Sequence, residues 1–133
     1  MSGTESQDAG GALAAAIVAA VSAIPGLNGC GEGRPTVAAP PYATIEIGAE
    51  RDWGHKTGAG REIVFRLVLR DEGESPARLR ALMARADAAL AAAAGGLSGW
   101  ALVSLVMLRG TTAGARPRLW ACTRDYRARM LAR

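Results

Sequence analysis

The chain has 133 residues, a formal net charge of +4, and a composition that is half hydrophobic with only six aromatic residues. This length suits one domain whose core is built mainly from Leu, Val, Ile and Ala. Two cysteines, Cys30 and Cys122, exclude a disulfide framework and a cysteine-based metal site, and are expected to be reduced thiols of a cytoplasmic protein.

Residues 1–8 are polar and expected to be flexible. The apolar run over 12–24 is thirteen residues long, too short to span a bilayer. Glu5 and Asp8, with no Lys or Arg beside them, give the wrong charge for a signal peptide. The run reads instead as an amphipathic helix with Leu13, Ile17, Val21 and Ile24 on one side, ended by Pro25-Gly26. Its polar side carries no basic residue, which argues against membrane binding. Residues 27–41 read as a Gly/Pro-rich linker. Within it, Gly29-Cys30-Gly31-Glu32-Gly33 lacks the preceding strand and the following Lys-Ser/Thr of a phosphate loop.

A strand follows over 42–48, with Ala43, Ile45 and Ile47 toward the core and Tyr42, Thr44 and Glu46 away from it. Residues 48–60 read as a functional loop, longer than an ordinary hairpin connection. It gathers Arg51, Asp52, Trp53, His55 and Lys56. An exposed Trp is a common interface anchor, and the alternative for Trp53 is folding back onto the sheet. His55 is the only histidine and has no second His, paired Cys or elbow nucleophile to work with, so it is assigned no catalytic or metal role.

Over 61–71, Ile63, Phe65, Leu67 and Leu69 alternate with Glu62, Val64, Arg66, Val68 and Arg70, the period of a strand with one core face. Ser75-Pro76 then opens a helix as N-cap and first helical residue. Leu79, Leu82, Met83, Ala86, Leu90 and Ala93 form its apolar stripe, and Gly95-Gly96 stops it. The next strand, 100–109, is apolar on both faces. Two helices cover only one face of a small sheet, so the other calls for a second copy or a partner. Residues 110–117 read as a turn. The last strand, 118–130, carries Trp120, Cys122 and Tyr126 on one side and Leu119, Ala121 and Thr123 on the other, with the inward row undecided.

The expected fold is therefore α+β over 1–133, with two helices packed on one face of a four-stranded, mainly antiparallel sheet in the order α-β-β-α-β-β. Charge is split along the chain: residues 1–60 carry −3 and residues 61–133 carry +7. Such a split steers copies head to tail, attracts nucleic acid, or is simply a solvated basic surface.

Pro41-Tyr42-Ala43-Thr44-Ile45-Glu46-Ile47-Gly48, Asp52-Trp53 with Lys56-Thr57, Gly60-Arg61-Glu62, and Arg70-Asp71-Glu72-Gly73-Glu74-Ser75-Pro76-Ala77-Arg78-Leu79 with the helix to Leu90 carry a resemblance. On these residues the chain resembles the tail-terminator (tail-completion) family of long-tailed phages, especially its versions in gene transfer agents. The resemblance covers about residues 12–129. It implies a non-enzymatic role without cofactor or metal: a ring, as a hexamer, that caps the tail tube and joins it to the head-side connector. It further implies that DNA passes through the ring without sequence-specific binding. Assembly would take place in the cytoplasm, after which the chain would stay in the particle at the top of the tail, away from membranes. Arg51, Asp52, Trp53, His55, Lys56, Trp120, Arg124 and Arg127 are the expected subunit or tail-tube contacts. The alternative is a small basic nucleic-acid-binding module that stacks bases on Trp120 and Tyr126 beside Arg118 and Arg124. An enzyme would need a nucleophile–base pair, a carboxylate pair or a metal cluster, and the sequence offers none of these.

Overall fold

The computed structural model describes residues 8–33, 39–93 and 97–133. Five strands, β1 (Cys30–Glu32), β2 (Tyr42–Asp52), β3 (Gly60–Glu72), β4 (Trp100–Arg116) and β5 (Leu119–Ala132), form one sheet ordered β1-β2-β3-β5-β4. β1 runs parallel to β2, and every other pairing is antiparallel. The sheet is thus mixed and five-stranded rather than four-stranded. The additional strand comes from the expected linker. Backbone polar groups there need partners, and the outer edge of β2 supplies them. Ala43 N–H donates to Gly29 O at 2.9 Å and Gly33 N–H to Ile45 O at 2.8 Å.

Helices α1 (Ala9–Ser22) and α2 (Ala77–Ala92) pack together on one face of the sheet, α1 over β1 and β2 and α2 over β3 and β5. The predicted apolar rows meet there. Leu13, Ile17 and Val21 from α1 and Leu79, Leu82, Met83, Ala86 and Leu90 from α2 are buried against Ile63, Phe65, Leu67 and Leu69 of β3. Each fully buried large aliphatic side chain contributes about 1.5–3 kcal/mol. The inward row of β5 is the one with Cys122, Tyr126, Ala128 and Met130, and the Tyr126 ring stacks on Phe65 at 5.1 Å. Ser75 Oγ accepts the Ala77 N–H at 3.1 Å, so α2 begins one residue later than expected, with Pro76 at the cap. The proposed Gly95-Gly96 stop, most of the N-terminal segment expected to be flexible and the centre of the linker lie outside the described residues.

Two connections differ from expectation. β4 continues to Arg116, and the turn is only Pro117-Arg118, with Arg118 at φ 67°. Proline followed by a left-handed residue is the type II pattern. The glycines that mimic a turn have another use: a Cβ at Gly110 would lie 2.5 Å from Arg124 Nη1, so Gly110 makes room for that guanidinium. The 48–60 loop is also largely strand, because β2 runs on to Asp52 past a bulge between Ile47 and Glu50. Beyond it the hairpin stays zipped, with Trp53 N–H donating to Gly60 O at 2.9 Å and His55 N–H to Gly58 O at 2.8 Å. Lys56-Thr57 forms the tip.

Candidate interaction surface

The face of the sheet away from the helices is built from the other row of β3. Register places Glu62, Val64 and Arg66 beside Arg129, Arg127 and Asp125 of β5, and residues directly opposite on one face interact. Arg66 donates to both Asp125 carboxylate oxygens, at 2.8 and 3.3 Å. Glu62 accepts from Arg129 Nε and from Arg51 Nε, each at 2.8 Å. Arg70 donates to Thr44 Oγ1 at 3.1 Å. The hydrogen bond from Arg129 holds the Glu62 carboxyl below the usual carboxylate range; burial opposes this and Arg51 adds to it. Arg66 does the same for Asp125. Beside the Arg66–Asp125 pair lies a trough of about 290 Å³, lined also by Glu46, Gly48, Val64 and Leu108.

The second component is β4, the long edge of the sheet. Trp100, Leu102 and Leu105 join the core at its start. Further along, Val103, Val106, Met107 and Leu108 are 40–53 % exposed. Bulges between Leu102 and Ser104 and between Met107 and Arg109 break the alternation, which turns Val103 and Leu108 out of register. Among the described residues, no strand pairs with the outer side of β4. Such an edge presents free backbone donors and acceptors.

The expected contact residues fall into two groups. Arg51, Trp53 and Arg127 share the helix-free side, where the Arg129 guanidinium sits 5.5 Å from the half-buried Trp53 ring. His55 meets Trp53 edge-on at 4.8 Å, Asp52 Oδ1 accepts the Gly54 N–H at 3.3 Å, and Lys56 is exposed at the tip. Arg127 Nε is buried without a hydrogen-bond partner among the described residues. Trp120 and Arg124 lie on the helix side of β5. Trp120 Nε1 donates to Gly73 O at 3.1 Å, and Arg124 Nε lies 3.5 Å from an Asp87 carboxylate oxygen. Both nevertheless border β4, at Gly114 and Gly110. The Tyr126 hydroxyl donates to Asp87. Burial first, and Asp87 second, push that phenol far above its ordinary range. Tyr126 is therefore a core residue and is not available for base stacking. Sequence reasoning missed Glu62, Arg129 and Asp87, whose importance depends on cross-strand register and helix placement.

Among the described residues, no cluster of His, Cys, Asp and Glu is arranged to hold a metal, and no helix is long and apolar enough to cross a membrane. Comparison with protein families and with curated proteins returned no match. Among solved structures, the chain is similar to a chain of the virion of a native gene transfer agent (GTA) particle. The two share 25 % sequence identity with a TM-score of 0.62, and the match covers 92 % of this chain and 96 % of that one. A likeness that spans nearly all of both chains supports a structural protein of a gene transfer agent or phage-like particle, assembled there with other particle proteins.

Proposed function

We propose that the chain is a tail terminator. Copies close into a ring of six that caps the tail tube, stops further tube subunits from adding and joins the tail to the head-side connector. DNA passes through the ring without sequence-specific contacts, and the role involves no catalysis, cofactor or metal. The ring assembles in the cytoplasm and then remains at the neck of the particle. The observation that carries this reading is the near-complete match to a gene transfer agent virion chain. The exposed apolar edge of β4 supports it, because an apolar patch of this kind marks an interaction site.

In this reading the β2–β3 hairpin, with Arg51, Asp52, Trp53, His55 and Lys56, and Arg127 beside it, meets the tail tube or a neighbouring subunit. Trp120 and Arg124, half-buried beside Gly114 and Gly110, enter the contact at the β4 edge. The test is to add the chain to tail-tube protein that is polymerising and to view the tubes by electron microscopy. The expected result is short tubes with one end capped. Tubes that grow unchanged and carry no bound chain would overturn the proposal.

A further inference from the structure

The fold turns the charge split of the sequence into a polarity across the sheet. The acidic front half supplies the β1–β2 end and the basic tail supplies the β5–β4 end. Among the described residues, each end has a stretch without a strand partner. β1 covers only residues 43–45 of β2, so the outer side of residues 46–52 has no strand partner among the described residues. That stretch carries Glu46, Glu50 and Asp52; its one cation, Arg51, is paired with Glu62 and Glu50 is paired with Arg61, so Glu46 and Asp52 carry its net acidic charge. The β4 edge carries Arg109 and Arg116 together with the exposed Val106, Met107 and Leu108.

We infer that the contact closing the ring is edge to edge: residues 103–109 of β4 in one copy lie against residues 46–52 of β2 in the next. The inference rests on the ring reading above. Two observations select this occupant. The charges are opposite, which steers and orients association. A β4–β4 contact about a two-fold axis would instead set Arg109 and Arg116 against their own copies, because a two-fold interface uses the same patch twice. A heterologous contact repeats head to tail and closes when the rotation allows. The bulges in both strands restrict any shared ladder to short runs, which limits indefinite edge-to-edge growth.

The experiment uses the full chain and charge exchange, with assembly followed by sedimentation. Arg109→Glu with Arg116→Glu, and separately Glu46→Arg with Asp52→Arg, should each weaken self-association at least tenfold. The four changes together should restore it to within about threefold of the parent chain, since complementary potentials drive the pairing. Rings that ignore both reversals, or that the fourfold variant fails to restore, would overturn the edge contact and leave the ring reading standing. A parent chain that stays monomeric with tail-tube protein present would overturn both. As a second readout, Ala49→Cys with Met107→Cys should cross-link copies into a ladder on oxidation. Absence of that ladder, or dimers from Met107→Cys alone, would overturn the assignment.

Discussion

Leu67 and Leu108 allow the same atoms to be deleted in two environments. Leu67 is 0 % exposed in the inward row of β3, beneath the helix layer at α2, whereas Leu108 is 47 % exposed on the β4 edge. Leu67→Ala removes transfer energy and leaves a cavity, a loss of about 2–5 kcal/mol. Leu108→Ala removes atoms already half in water and should cost less than about 1 kcal/mol. In a domain of this size, the first loss lowers Tm by roughly 10–20 °C and the second by less than about 5 °C. Urea and thermal unfolding should be recorded at concentrations below the association midpoint, so that assembly does not add to apparent stability. An unchanged urea slope would confirm that only stability had moved. Self-association should show the opposite ranking, with Leu108→Ala weakening it severalfold and folded Leu67→Ala leaving it near the parent value. Equal stability losses, or a larger loss at Leu108, would refute the division of the molecule into core and interaction edge.

Acid should destabilise the monomer. Glu62, Asp71 and Asp125 all have folded pKa values held below their unfolded ones, chiefly by hydrogen bonds from Arg129, Arg78 and Arg66. Their contribution is therefore complete above the ordinary carboxylate range near ~4 and is lost as pH falls through the lower folded values. Urea midpoints taken from pH 6 down to 2.5 should fall, with a shallower fall in Glu62→Gln; a flat profile would contradict the network. Gly60→Ala would place a Cβ 2.4 Å from Trp53 O, and should cost about 1–3 kcal/mol in thermal unfolding. Burial pushes the Cys30 thiol up to about 11, so its alkylation at pH 8, followed by peptide mass spectrometry, should be on the order of 100-fold slower than in the unfolded chain.

The parts of the fold legible in the sequence were those whose burial alternates cleanly. The inward row of β3 and the stripes of α1 and α2 follow from strict spacing, and all are buried as expected except Ala93, which is half-buried at the end of α2. β1 was not legible because Cys30-Gly31-Glu32 has no pattern of its own and exists only through the edge of β2. The lengths of β2 and β4 were hidden for a related reason. Gly48-Ala49 sits in a bulge, and Gly110 and Gly114 accommodate Arg124 and Trp120 from the neighbouring strand. A single sequence shows these residues as turn formers because the side chains they accommodate are fourteen and six positions away. The candidate surface was partly legible. The apolar excess of residues 100–109 marked the β4 edge. By contrast, the place of Glu62 between Arg51 and Arg129 depends on a register that no local pattern specifies.

The central claim is that the chain is a ring-forming structural subunit, and its mass in solution tests that most directly. Sedimentation of the full chain over a wide concentration range, alone and with tail-tube protein, should reveal a closed species of six times the 13.7 kDa of one chain. A chain that remains at 13.7 kDa at every concentration, with tail-tube protein present as well as absent, would contradict the account.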